Sequence, residues 1–155
     1  MSSPRAMRVI PPETASGSFG KFGEFSEEPL NMTGLSEDAI QMALLEWLRL
    51  YDRGAWELTH HSPNGGARSA VTGARLKAMG VRRGFPDLTL WLPRGGFHGL
   101  AVELKAAKGR PTPEQLDWLA HMSAIGWRAE VCCGFEAAQD VIASYLRADD
   151  YAPKN

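Results

Sequence analysis

Two short alternating runs joined by one turn constrain this chain more than any other feature. Asp87-Leu88-Thr89-Leu90-Trp91-Leu92 puts its leucines on one face of an extended strand. Gly99–Lys105 alternates again, with Leu100, Val102 and Leu104 on one face. Pro93-Arg94-Gly95-Gly96 turns the chain between them. A hairpin of this kind has an apolar face that flanking helices must cover. Its second strand also carries Glu103 and Lys105, two residues apart and so on the same face, opposite Leu104.

The flanks supply those helices. Ser36 is a candidate N-cap, with Glu37 and Asp38 in the first turn. Ile40, Leu44, Trp47, Leu48 and Tyr51 follow at helical spacing, predicting a helix over 37–51 that Gly54 ends. Trp56–His60 has strand character, and Ser62-Pro63-Asn64-Gly65-Gly66 reads as a loop. Residues 67–79 form a weaker helix, stopped by Gly80. Thr112, Pro113 and Gln115 make a capping box ahead of Leu116, Leu119 and Met122, and Gly126 stops that helix. Trp127–Cys133 reads as a strand with both cysteines in the core, and Phe135–Leu146 as a final helix. The order predicts an α/β domain: a short central mixed sheet flanked by helices.

The 155 residues allow one domain. Residues 1–35, rich in Ser, Gly and Pro with Phe19, Phe22 and Phe25 every third position, read as a flexible arm; 149–155 read as a tail. No run approaches the roughly 18 apolar residues of a membrane span. No signal-peptide pattern opens the chain, and two adjacent cysteines build no disulfide framework, so a cytoplasmic location is expected.

The formal net charge is −1, but the charge is segregated. Residues 60–110 hold nine basic side chains and two acids, a net of +7. Clustered positive charge is the footprint of a phosphate-rich partner. The two acids in that field are Asp87 and Glu103. If the hairpin brings them together, they form a hard oxygen site of the kind that holds Mg²⁺ with substrate phosphates. Without metal, two close carboxylates repel and one tends to protonate. Lys105 beside them supplies a point charge and a donor. Arg82, Arg83, Lys108 and Arg110 are placed to hold phosphates.

The pattern Pro86-Asp87, then Glu103-Leu104-Lys105, resembles the PD-(D/E)XK nuclease signature, in a matching helix, strand, strand, helix order. A fuller resemblance is to the VRR-NUC branch of that superfamily. It rests on Gly80-Val81-Arg82-Arg83-Gly84-Phe85-Pro86-Asp87-Leu88, on Glu103-Leu104-Lys105 and on Gly109-Arg110-Pro111-Thr112-Pro113-Glu114-Gln115. Ser62-Pro63-Asn64-Gly65 and Glu37 with Gln41 add to it, and it covers about residues 36–142. It implies a PD-(D/E)XK restriction-endonuclease-like core over 36–148. Asp87, Glu103 and the Leu104 backbone carbonyl would hold Mg²⁺ or Mn²⁺, with Glu37 acting through a bound water. Lys105 would be the catalytic lysine, Gln115 would lie near the site, and Asn64 would order the loop beside it. The family resembles Holliday-junction resolvases. That implies a homodimer cutting branched DNA in replication, repair or recombination, in a bacterial or phage-infected cell, with no small-molecule substrate.

Plainer readings exist for several of these residues. Asp87 fits a turn acid, Glu37 a first-turn acid complementing the helix dipole, and Gln115 a capping residue. His60 and His61 beside Asn64 suggest a His-Asn-His metal site, but no well-spaced second histidine follows; His61 remains a candidate DNA contact. The tryptophans on periodic elements read as core or dimer contacts. Two rival functions share the fold: a nucleic-acid-binding accessory protein without turnover, and a sequence-specific restriction-type enzyme.

Overall fold

The computed structural model describes residues 34–62 and 70–149. The N-terminal phenylalanines, Asn64, Arg68 and the last six residues lie outside the described residues.

The chain runs α1 (Glu37–Tyr51), α2 (Arg53–Glu57), β1 (Thr59–His61), α3 (Ala70–Ala78), β2 (Leu88–Leu90), β3 (Leu100–Lys105), α4 (Pro113–Ala124), β4 (Arg128–Cys133) and α5 (Phe135–Leu146). The strands form one mixed sheet in the order β1-β2-β3-β4. β1 pairs antiparallel with β2 and β2 antiparallel with β3, while β3 and β4 are parallel. The parallel pair needs a crossover, and α4 supplies it.

Helices cover both faces. Ile40, Leu44 and Leu48 of α1 pack with Ala138, Ile142 and Tyr145 of α5 against Leu88, Leu90, Leu100, Val102 and Leu104. On the other face Leu119 and Met122 of α4 meet Ala101 and Trp127. Every residue of β3 is therefore buried, including Glu103 and Lys105. A central strand covered on both faces has no solvent side on which to place its polar residues.

The helix starts follow their capping residues. The Ser36 side chain accepts from the Ala39 N–H at 3.3 Å. The Thr112 hydroxyl accepts from Gln115 N, and the Gln115 side chain returns to Thr112 N.

The structure corrects the sequence reading in four places. The first helix covers 37–51 as expected, but Asp52 and not Gly54 caps its end, and the segment read as a strand from Trp56 begins as a helix. Asp52 serves both ends: its N–H donates to the Leu48 carbonyl, and its carboxylate accepts from Ala55 N at 2.9 Å to start α2. The strand is only Thr59–His61. Helix α3, Ala70–Ala78, falls within the expected 67–79, and residues 67–69 lie outside the described residues. Leu116 is 49% exposed, because the inward stripe of α4 is Gln115, Trp118, Leu119 and Met122. Cys133 is exposed; only Cys132 is core, where burial first, then the Glu130 charge, pushes its thiol up to about 12.

Candidate active site

The acids and the lysine meet at the C-terminal end of β3. The antiparallel register pairs Leu88 with Val102; continued by one residue, it sets Asp87 opposite Glu103. Residues directly opposite across a ladder share a face. Asp87 Oδ2 also accepts the Leu104 N–H at 2.9 Å, which ties the acid to the strand that carries its partner. In a strand, the N–H and C=O of one residue point the same way and successive residues alternate. The Lys105 carbonyl accepts from Gly134 N on the β4 side, so the Leu104 carbonyl faces the Asp87 side.

Glu103 is fully buried. Its Oε1 accepts from Lys105 Nζ at 2.7 Å and from the Gln115 side-chain amide. Its Oε2 is buried with no hydrogen-bond donor, alone in this among the described residues. A buried carboxylate oxygen left in that state is costly. Burial raises the Glu103 carboxyl to about 7, against the pull of Lys105 and helped by the neighbouring Asp87. The repulsion between two close carboxylates adds to this rise, but burial is its main cause. Lys105 goes the other way. Burial would lower it, but the hydrogen bond and charge of Glu103, with Glu37 and Asp87, outweigh that and raise it above the usual lysine value. Lys105 is a cation at neutral pH.

Two helix starts converge here. Glu37, the first residue of α1, lies 3.6 Å from Lys105 Nζ, and its Oε1 accepts the Ala106 N–H at 3.3 Å. Gln115, in the first turn of α4, resolves its two readings by doing both. Its oxygen accepts from Thr112 N at 2.8 Å and its nitrogen donates to Glu103. The positive ends of both helix dipoles therefore face an acidic cluster. His61 lies beside Asp87: its Nδ1 is 3.0 Å from the Asp87 carbonyl, which can only accept, so Nδ1 carries the proton. Arg82, Arg83, Lys108 and Arg110 are all exposed. Asn64 lies outside the described residues.

The donor set suits a hard divalent cation. The uncompensated Glu103 oxygen, the Asp87 carboxylate and the Leu104 carbonyl supply oxygens alone. Among the described residues no group of three or more His, Cys, Asp or Glu forms a complete metal cage. Mg²⁺ seldom needs one, since water and substrate phosphate fill its remaining positions.

Sequence reasoning missed some of what supports this site. Gly84 has a φ of +80°, and a Cβ there would sit 2.6 Å from the Glu114 carbonyl carbon. The backbone before Asp87 thus lies directly on the turn that carries Gln115. Beside this contact runs a groove of about 1010 Å³ between α3, the 80–83 turn and α4. Lys77, Arg82, Arg83, Glu114 and Trp118 are among its lining residues, whereas Asp87 and Glu103 are not. Trp118 is not a core residue: it lies half-buried on the groove wall. The run of arginines before Gly84 is the signal that could have found it.

With fold and site together, the chain can be set against known proteins. The VRR-NUC domain model matches residues 27–136, which is most of the chain. The chain belongs to the VRR-NUC family. A solved structure described as a "VRR_NUC domain protein" superposes with a TM-score of 0.69 at 30% identity, over 77% of this chain and 95% of that one. The mixed sheet flanked by helices is thus the VRR-NUC nuclease fold. No curated protein matches the chain significantly. The matched span of residues 27–136 runs through Asp87 and Glu103-Leu104-Lys105.

The raised Glu103 carboxyl has a measurable consequence. Its unfolded value is the ordinary 4.5 and its folded value is about 7. Metal-free protein is therefore stabilised by this group below pH 4.5, and the contribution is lost as pH rises through about 7. A divalent cation needs the ionised carboxylate, so its binding below pH 7 should release a proton. Calorimetry of Mn²⁺ binding in buffers of different ionisation enthalpy reads that release. A proton count of zero at pH 6, or one unchanged in Glu103→Gln, would overturn the assignment.

Proposed function

We propose that this protein is a divalent-metal-dependent endonuclease that hydrolyses phosphodiester bonds in branched DNA. The observation that carries this reading is the buried, uncompensated Glu103 Oε2, set beside the half-buried Asp87 carboxylate and a charged Lys105.

Asp87, Glu103 and the Leu104 carbonyl would hold Mg²⁺ or Mn²⁺, with Glu37 reaching the ion through a water. The ion would neutralise phosphate charge and lower the pKa of a bound water. Lys105 stays protonated, so it serves as a donor and a positive charge near the scissile phosphate rather than as a resting base. Glu37 and Glu103 hold its ammonium between them. Gln115 fixes the rotamer of Glu103 through Oε1, which leaves Oε2 for the ion. Exposed Arg82, Arg83, Lys108 and Arg110, with His61 and Asn64, would contact the DNA. A homodimer would place two such sites on a symmetric junction. A role in replication, repair or recombination inside the cell follows from that substrate.

The test is cleavage of a labelled four-way junction, flap, single strand and plain duplex, each with EDTA, Mg²⁺ or Mn²⁺, using wild type beside Lys105→Ala. Metal-dependent cutting of the branched substrates, lost in the variant, is expected. Binding without cutting under either metal would replace this reading with that of an accessory protein. Cutting of plain duplex at one sequence would replace it with a restriction-type enzyme.

A further inference from the structure

The groove beside the carboxylates has two chemically different walls. One carries Lys77 from the last turn of α3, with Arg82 and Arg83 from the turn that follows. The other, from α4, carries Glu114, Asp117 and Trp118. Trp118 is fixed in place. Its indole N–H donates to the Arg83 carbonyl at 3.0 Å. Phe85 meets it edge-on with ring centroids 5.0 Å apart, and His121 does so at 6.4 Å. Pockets of roughly 300–1,000 Å³ hold drug-sized ligands, so about 1010 Å³ accommodates a nucleotide with flanking phosphate.

We infer that this groove binds an unpaired DNA strand leading to the cleavage site, with its phosphates on the Lys77–Arg82–Arg83 wall and a base stacked on Trp118.

The inference rests on the nuclease reading and adds to it the form of DNA beside the cut. Charge decides the orientation. Phosphates go to the cationic wall. They are repelled by Glu114 and Asp117, whose carboxylates instead accept from exocyclic amino groups of bases. A duplex buries its base faces in the stack, so only an unpaired strand can use a fixed indole. The groove lies next to the site, separated from it by one backbone contact. Gly84 lies against the backbone of Glu114 and Gln115, and Gln115 holds Glu103. A strand seated here would have to pass over this one contact to reach the carboxylates. On this inference a flapped substrate, which carries an unpaired strand at its branch, would be preferred over plain duplex.

The test is equilibrium binding of the full chain in EDTA, where no cutting occurs. The probes are a short oligo-dT strand and a blunt duplex, plus a single strand carrying 2-aminopurine to report stacking. Trp118→Ala should bind the single strand about tenfold more weakly and lose the 2-aminopurine quench. Its affinity for blunt duplex, held by phosphate contacts, should stay within about twofold of wild type. Trp118→Phe, which keeps an aromatic face, should restore most of the single-strand affinity. Thermal melting checks that each variant is folded. Unchanged single-strand binding in Trp118→Ala, or equal losses on both probes, would overturn the inference. The nuclease reading fails separately, through absence of metal-dependent cutting by wild type. A protein that cuts but shows no Trp118 effect refutes only the groove; one that shows the effect but never cuts refutes only the nuclease.

Discussion

Glu103→Gln should lower metal-dependent cleavage by about a thousandfold or more while leaving DNA binding in EDTA within about threefold of wild type. Glutamine has the same shape and keeps an oxygen for Lys105, so the packing of β3 survives. It cannot supply the negative oxygen at the position of Oε2, which is buried without a donor. Loss of a single preorganised electrostatic contact costs on the order of a hundredfold to a thousandfold, and a metal ligand sits at the upper end. Lys105→Ala should also abolish turnover, but at a cost in stability, because it leaves Glu103 buried without its cation. The glutamine variant is therefore the cleaner probe of chemistry. Single-turnover cleavage of the preferred DNA, with binding measured in parallel, is the check. Cutting by Glu103→Gln within about tenfold of wild type would remove Glu103 from the machinery.

Gly84→Ala should destabilise the fold by about 3 kcal/mol or more, against about 1 kcal/mol for Gly96→Ala. Both glycines hold left-handed backbone, with φ of +80° and +84°. Each replacement thus carries the strain of an L residue there. The difference is space. A Cβ at 96 meets nothing within 4 Å, whereas one at 84 would sit 2.6–2.8 Å from backbone atoms of Glu114 and Gln115. Backbone in a capped first turn cannot rotate away, so α4 must shift. That shift also carries Gln115 off Glu103, so activity should fall further than the unfolded fraction explains. Urea unfolding of the two variants beside wild type measures the gap. Equal losses at 84 and 96 would show that the contact between the turn and α4 is unimportant.

Local periodicity made much of this molecule legible. Leu88 and Leu90, then Leu100, Val102 and Leu104, alternate in the sequence and all line the core. Ser36 and Thr112 announced helices α1 and α4 through their own capping chemistry. The failures were also local. Asp52 closes one helix and opens the next with one residue, and Gly54, two positions later, is the stronger stop signal in the sequence. At Leu116, helical spacing alone could not say which of two adjacent positions pointed inward.

The candidate site divides along the same line. That Glu103 and Lys105 share a face follows from the geometry of any strand, and their proximity needed no fold to predict it. Burying them did. Glu103 loses all solvent because α4 covers one face of β3 while α1 and α5 cover the other. Glu37 reaches Ala106 across 69 residues of chain, and Gln115 reaches Glu103 from a separate element. Such contacts depend on how elements dock, and nothing in a short window of sequence encodes docking. The residue types and their strand and cap spacing were written in the chain because backbone geometry repeats every two or 3.6 residues. The raised Glu103 carboxyl, its uncompensated oxygen and the groove wall at Trp118 came from packing, because desolvation and charge proximity exist only once distant segments are brought together.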